Sequence, residues 1–445
     1  MWFRRDLRLA DNPALVAACA AGRVVPLFVL DDSTPNLGEG HDYAIGGAGR
    51  WWLHHSLEAL RDSLGGTLLL RRGRAADVVR AVAGEVGASE VHANRLYEPW
   101  EMASEEKLRD LLSLHDGDTI IPPERIRTGS GTPYKVYGGF WRALAEQLPP
   151  DPPVAAPDVE VADLPTGDTL DDWRLLPTRP DWASGFDWTP GAAGAAQRLV
   201  DFEDEVAGYA RRRDLPGEEG TSRLSPHLHW GEVSARQVWH ALAAERGEKF
   251  LKELAWRDFA RSAVRAQPDL GWRGGRAGFD ALPWRTDAAA DADVTAWTRG
   301  LTGYPMVDAG MRQLWTTGWM HNRVRMIAAS FLVKHLLIDW RRGAAWFWET
   351  LVDADYPNNS LNWQWIAGTG TASQMFNRIM APLVQSEKFD AGDYIREWVP
   401  ALADLPDALI HDPPDDRRGT YPAKIIGHRE ARDRALAALA KSRAT

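Results

Sequence analysis

A chain of 445 residues, 44% hydrophobic and 26% charged, is too long for one ordinary core and has the makeup of a soluble globular protein, so two domains are expected. No run approaches the roughly eighteen apolar residues that cross a bilayer, the opening Met-Trp-Phe-Arg-Arg-Asp lacks the pattern of a signal peptide, and the single cysteine, Cys19, excludes an intrachain disulfide or a four-cysteine iron-sulfur site. A reducing, cytoplasmic setting without membrane contact is expected. The formal charge of -10 argues against indiscriminate coating of nucleic acid but leaves room for a local basic groove, because exposed charges are screened beyond about 8 Å.

Taken in order, residues 1–148 alternate short β-branched runs with amphipathic segments. Strands are expected at 24–30, 67–70, 90–93 and 119–121, and helices at 12–21, 49–64, 75–86 and 104–114. Such alternation implies an α/β domain with a Rossmann-like parallel sheet wrapped by right-handed crossovers. Met1-Trp2-Phe3 leaves almost no room for a first strand, so the start is read as lacking a few residues. Residues 149–171 open with six prolines between 149 and 165, a composition that marks a linker or a long loop wrapped on the surface. The remainder, 172–445, has helical periodicity at 194–212, 234–246, 248–266, 305–316, 320–337, 339–352 and 391–399. Of the 22 tryptophans, 14 follow residue 220, an aromatic load that an ordinary core rarely requires.

Four stretches carry chemistry. Gly-Thr-Ser-Arg-Leu-Ser-Pro at 220–226 sets three hydroxyls and an arginine ahead of a candidate helix, where amides and hydroxyls can cradle phosphate; a simple Ser/Thr cap explains the same residues. In 250–259, Glu253, Trp256 and Arg257 share a helical face that Arg261 and Arg265 continue in steps of four. An acid beside an indole and a guanidinium ridge suits a flat aromatic ligand attached to phosphate, with a solvated face as the plainer alternative. In Gly-Trp-Met-His-Asn-Arg-Val-Arg-Met at 318–326, Asn322 and Met326 stand at i and i+4, flanked by Arg323 and Arg325. Asp-Ala-Asp-Tyr-Pro-Asn-Asn at 353–359 is expected to break helix and strand alike, and Trp363 and Trp365 follow it, either as packing or as two π surfaces.

Together these stretches resemble the photolyase/cryptochrome family of flavoproteins, most closely its class I cyclobutane pyrimidine dimer photolyases. The resemblance runs from Trp-Phe-Arg-Arg-Asp-Leu-Arg-Leu at 2–9 to His-Arg-Glu-Ala-Arg at 428–432, and is most specific at 221–225, 303–309 (Gly-Tyr-Pro-Met-Val-Asp-Ala), 318–326 and 353–365. It implies an all-α FAD-binding domain joined by the linker to the α/β domain. Tyr209 and Thr221, Ser222, Arg223, Leu224 and Ser225 match positions that hold the FAD phosphates. Asp353 and Asp355 match those near the ribityl, adenine and flavin-ring polar edges, with Arg325 pairing the first and Glu253, Arg257 and Asn322 completing the cofactor set. Asn359 falls where the family faces flavin N5, and its amide can donate or accept. Glu253, Trp256, Asn322, Met326 and Trp365 correspond to a pocket for a pyrimidine dimer flipped out of UV-damaged DNA, and Arg323 and Arg378 to phosphate contacts. Trp363, Trp340 and Trp284 match a chain that carries electrons to the flavin, although each could equally be core. The implied activity is that of a carbon-carbon lyase driven by blue or near-UV light, acting as a monomer.

Some positions depart from the family pattern. Met380 and Ala381 stand where many relatives have Phe-Asn, and Ser386 where Gly is common, which puts the rim contacts with DNA in question. Glu101 keeps a candidate folate-facing acid, yet Trp100 replaces the neighbouring asparagine, so methenyltetrahydrofolate and 8-hydroxy-deazaflavin both remain candidate antennas. The histidines of (6-4) photolyases are absent at Asn322 and Met326. A cryptochrome-type photoreceptor is the second reading, disfavoured by Asn359 and by the chain's end soon after Ala431. A hydrolase built on Asp353 and Asp355 is the third.

Overall fold

The computed structural model describes residues 1–32, 43–243, 247–275, 282–370 and 376–442. The first part contains β1 (Trp2–Phe3), α1 (Pro13–Ala21), β2 (Leu27–Leu30), α2 (Gly47–Ser63), β3 (Leu69–Arg72), α3 (Ala75–Glu85), β4 (Val91–Asn94), α4 (Pro99–Lys107), β5 (Leu112–His115) and α5 (Tyr137–Ala145). All pairings are parallel: β1-β2-β3 form one ladder, with Trp2 opposite Leu27 and Leu27 opposite Leu69, and β4-β5 form another, with Val91 opposite Leu112. Two residues suffice for β1, against the expectation that this segment was too short. Asn12 starts α1 by accepting the Leu15 amide at 3.1 Å, and Pro13 follows at the first helical position, where a missing N–H costs nothing.

The fourth strand was misplaced by the sequence pattern. Residues 119–121 are not a strand, because the Ile120 and Ile121 amides donate to the Asp258 carboxylate, at 2.9 and 3.3 Å, in place of a neighbouring strand. The helix expected at 104–114 instead begins at Pro99 and stops at Lys107, which frees Leu112–His115 to pair with β4. The proline-rich segment wraps the α/β part: the Asp11 amide donates to Val154 O (2.8 Å), Val24 exchanges backbone bonds with Glu160 and Ala162 (2.8 and 2.9 Å), and the Asp168 amide reaches Leu70 O (2.9 Å).

Beyond it lie α6 (Leu170–Trp173), α7 (Ala192–Glu203), α8 (Tyr209–Arg212), α9 (Ser225–Trp230), α10 (Ala235–Leu242), α11 (Glu248–Ala266), α12 (Ala288–Thr298), α13 (Pro305–Thr317), α14 (Asn322–Ser330), α15 (Trp340–Thr350), α16 (Tyr356–Ala367), α17 (Pro382–Lys388), α18 (Gly392–Trp398), α19 (Asp407–Ile410) and α20 (His428–Ser442). The helix expected at 194–212 is broken into α7, a 3-10 turn at Val206–Gly208 and α8, at a glycine that favours helix poorly. Ser234 caps α10 in a reciprocal box with Gln237, and the expected end of that helix, 244–246, lies outside the described residues. The run expected at 320–337 continues from α14 into a π-helical turn, Phe331–His335. Of residues 353–359, Asp353 to Asp355 do lie outside helix and strand, but the rest begin α16. Asp355 caps α16 by accepting the Asn358 amide at 2.9 Å, and Pro357 sits in the first turn, where proline is tolerated. Asn359, Trp363 and Trp365 are therefore helical. No helix among the described residues is long and apolar enough to cross a membrane.

Candidate cofactor and substrate site

The site is assembled around α16, against which α11, α14 and α15 each pack. Gly343 permits that last approach, since a Cβ there would stand 2.2 Å from the Trp363 ring. Trp363 lies buried against Phe347 and Trp297, at ring-centroid distances of 5.0 and 6.5 Å. Trp340 is buried under the Arg341 guanidinium, 4.9 Å away, and Trp284 is half-buried.

The guanidinium ridge of α11 is no solvated face. Arg257 and Arg261, one helical turn apart, both close on Asp118 in the loop after β5; Arg257 also donates to Leu228 O at 3.1 Å, and Arg261 to Asp355 Oδ2 at 3.1 Å. Arg265, the third of the row, pairs with Glu124 at 3.0 Å. Burial alone would raise the Asp118 carboxyl, but the two arginines overcome it and hold it below the ordinary range. Asp355 is likewise held well below, its burial outweighed by Arg261 and by His229, 3.6 Å away. A buried acid between two buried arginines is retained because removing any member would strand a bare charge. Asp258 has no such excess of cations: burial pushes it up to about 7 against the opposing pull of Arg257.

On α14, Arg325 grips Asp353 with two parallel bonds of 3.0 and 2.8 Å and donates from Nε to Met320 O at 2.7 Å, the planar fork geometry that lysine cannot reproduce. Arg323 pairs with Asp214 at 2.8 Å, covers the Phe389 ring at 4.5 Å and reaches the Met326 sulfur at 3.7 Å. His321 caps this helix: its Nδ1 accepts the Arg323 amide at 3.2 Å, and burial lowers the imidazole to about 4, so it is neutral near pH 7.

The Thr221–Ser225 loop sits against α8. Gly220 is required there, because a Cβ would lie 2.7 Å from the Arg212 carbonyl oxygen, and this close approach brings the helix of buried Tyr209 to the loop. Arg223 adopts a left-handed φ of 50° and pairs with Glu219. Its guanidinium lies 5.1 Å from the Trp319 ring, and that of Arg325 5.9 Å from the same ring, so two cations flank one indole. Arg223 Nε is buried and has no hydrogen-bond partner among the described residues. A buried donor left unpaired costs about 1–3 kcal/mol, so a loop of hydroxyls, amides and a guanidinium with one spare donor fits an anionic group such as the phosphates of FAD.

The expected substrate residues are each at least partly open to solvent. Trp256, Met326, Trp365 and Glu253 are each half-buried, and Asn322 is exposed. Trp256 stacks on Tyr137, with centroids 3.7 Å apart and planes at 8°, while the Tyr137 hydroxyl donates to Lys252 O. Glu253 is shared by Arg213 (2.5 Å) and Lys249 (3.0 Å). The Asn359 amide donates to Ala344 O at 3.1 Å, which fixes its orientation. Arg378 is exposed, its carbonyl accepting from buried Lys334 at 2.8 Å. Glu101, expected to face an antenna, pairs with Arg4 at 3.1 Å, beside Glu105 at 2.8 Å, and Trp100 lies against Tyr43 and Tyr356 at 5.7 and 5.0 Å. Sequence reasoning missed Asp118, Tyr137, Asp214 and His229. Each comes from another segment and belongs to no local pattern, so nothing in the sequence marks it.

A parallel α/β part, a helical part, and a phosphate-ready loop beside paired acids define a flavoprotein of the photolyase type, and the chain belongs to the photolyase/cryptochrome family. A family model described as the FAD binding domain of DNA photolyase matches residues 250–441, and one described as DNA photolyase matches residues 1–158. The chain is 46% identical to the deoxyribodipyrimidine photo-lyase of Agrobacterium fabrum, over 100% of this chain and 98% of that protein. It is 35% identical to cryptochrome-1 of Arabidopsis thaliana, over 99% of this chain and 70% of that one. Its fold matches the crystal structure of a bacterial class III photolyase from Agrobacterium tumefaciens with a TM-score of 0.92 at 46% identity, covering 100% of this chain and 97% of the other. An archaeal photolyase from Sulfolobus tokodaii, solved with two FAD molecules, matches at 0.83 and 29%, covering 99% of each chain.

Proposed function

We propose that this chain is a light-dependent DNA repair enzyme, a deoxyribodipyrimidine photo-lyase that splits cyclobutane pyrimidine dimers. The observation that carries the reading is the packing of α11 and α14 against α16. The three helices carry the half-buried Trp256, Met326 and Trp365, and the Arg261–Asp355 and Arg325–Asp353 pairs tie α11 and α14 to the start of α16. Full-length identity of 46% to a class III photolyase favours class III over the class I expected from the motifs.

Reduced FAD, when bound and excited, supplies the electron that opens the cyclobutane ring and takes it back, so no net redox change occurs. Tyr209, Thr221, Ser222, Arg223, Leu224 and Ser225 would hold its phosphates, and Asp353, Asp355, Arg325 and Asn359 its ribityl, adenine and ring edges. Arg257 acts through Asp118, keeping α11 seated. Trp256 and Trp365 stack on the flipped dimer, and stacking of this kind contributes about 1–3 kcal/mol per base. Glu253 and Asn322 meet its base edges, Met326 fills the space between, and Arg323 and Arg378 take backbone phosphates, which set register without reading sequence. Trp363, Trp340 and Trp284 pass electrons inward from the surface. A second, light-collecting chromophore of folate or deazaflavin type belongs to the same proposal, with Glu101 acting through Arg4.

The test is to incubate the reduced, flavin-loaded protein with dimer-containing DNA in light and in dark. Dimer loss in light alone is expected. Equal loss in both conditions, or none in either, refutes repair; none in either with flavin absorbance intact would favour the photoreceptor reading.

A further inference from the structure

At the edge of the buried face of α2, remote in sequence from every residue assigned above, two imidazoles and a carboxylate converge. Successive helical residues are 100° apart, so Glu58, one turn beyond His54, lies at 40° on the helical wheel, between His54 at 0° and His55 at 100°. Side chains lean toward the helix N-terminus, which brings the Glu58 carboxylate back between the two rings. The structure has this arrangement: Glu58 Oε2 is 3.1 Å from His55 Nδ1, Glu58 Oε1 is 3.6 Å from His54 Nε2, and one ligand atom from each of the three residues lies within 4.8 Å of the others. A tetrahedral ion with bonds of about 2.1 Å sets its ligands roughly 3.4 Å apart, within reach of small side-chain rotations.

A second observation points to a missing partner. His54 is buried, its Nδ1 finds no hydrogen bond among the described residues, and its Nε2 stands beyond hydrogen-bond range of Glu58. A buried imidazole with no hydrogen bond is costly. His55 is held edge-on by Trp51, with ring centroids 4.6 Å apart. Both His55 and Glu58 are partly exposed, leaving an entry path and open positions for water.

We propose that His54, His55 and Glu58 form a binding site for one divalent transition ion that favours imidazole with carboxylate, the zinc class. The ion would take up His54 Nε2, which faces Glu58, and brace α2, whose inner face carries Trp52, Leu53, Leu57 and Leu60 in the core. The site is independent of the repair reading.

The experiment is calorimetric titration of the flavin-loaded full chain with Zn2+, with Mg2+ as control, on the wild type and on the His55→Ala and Glu58→Gln variants. Thermal unfolding is measured with and without Zn2+. The expected result is one Zn2+ per chain, no Mg2+ binding, and an affinity weakened at least about tenfold in both variants, the loss that even outer-shell changes produce. Zn2+ should raise the unfolding midpoint of the wild type only. Absence of Zn2+ binding to the wild type, or unchanged affinity in either variant, overturns the proposal. Both substituted side chains are partly exposed, so matching midpoints without metal will show that the variants fold.

Discussion

Arginine meets carboxylate in two settings in this molecule, along α11 and along α14, and the contrast separates architecture from contact. On α11, Arg257 and Arg261 share Asp118 with every side chain at or below 10% exposure, and Arg261 passes on to Asp355. On α14, Arg323 and Arg325 are about one-fifth exposed, and each has its own acid, Asp214 and Asp353. The same chemistry has different consequences because water can solvate a rim charge that loses its partner, whereas a buried one has nowhere to turn. The α11 seam joins the loop after β5 to the helical half and cannot be opened piecemeal. The Arg323–Asp214 pair of α14, with both side chains partly exposed, can exchange its acid for a phosphate at modest cost.

The contrast is broken most directly at Asp118. Asp118→Ala leaves two guanidiniums buried and short of a partner and should lower unfolding stability by about 3–5 kcal/mol, measured by urea denaturation. A loss under about 1 kcal/mol would mean that the seam is hydrated and that the distinction fails. A smaller effect is expected from His321, which caps α14 between Asp214, Arg323 and Arg325. Burial lowers it from 6.5 to about 4, so between those pH values the folded protein binds fewer protons than the unfolded chain, and stability falls as pH falls through the window. Asp258, raised to about 7 by burial against Arg257, has the opposite sign, contributing stability at low pH that is lost as pH rises from 3.8 to about 7. His321→Gln removes the first effect and leaves the second, so between pH 7 and 4 the variant should lose about 1–3 kcal/mol less than the wild type. Parallel pH profiles would show that the cap is already solvated. The smallest effect belongs to Arg325→Lys, which exchanges the two-pronged grip on Asp353 for a single one and should cost about 1–2 kcal/mol, seen as faster flavin loss on dilution with the fold intact. Unchanged retention would separate the Arg325–Asp353 pair from the cofactor.

Legibility differed by element. The helix at 248–266 was expected and found with the same limits, because its periodicity runs over five turns and Gly247 and Gln267 bound it. Asn322 and Met326 do share α14, and Arg325 does pair with Asp353. By contrast, Tyr356 to Asn359 were expected to continue a break and are helical, and the strand at β5 was assigned to 119–121. Both errors have one cause. Asp, Pro and Asn stop a helix in its interior but start one at its first turn, and β-branched residues form a strand only if a neighbour accepts their amides. Here the Asp258 side chain took them first.

The amino-acid order by itself determined the two kinds of architecture, the helices, and the set of residue types able to hold a phosphate, an aromatic base and a flavin, since periodicity, capping and local spacing are properties of neighbours in the chain. Only the tertiary structure decided that Arg257 faces Asp118, that Trp256 lies on Tyr137, and that His54 Nδ1 finds no hydrogen bond among the described residues. Those outcomes depend on which distant segment arrives within a few ångströms, and burial, unlike propensity, is a property of the whole fold.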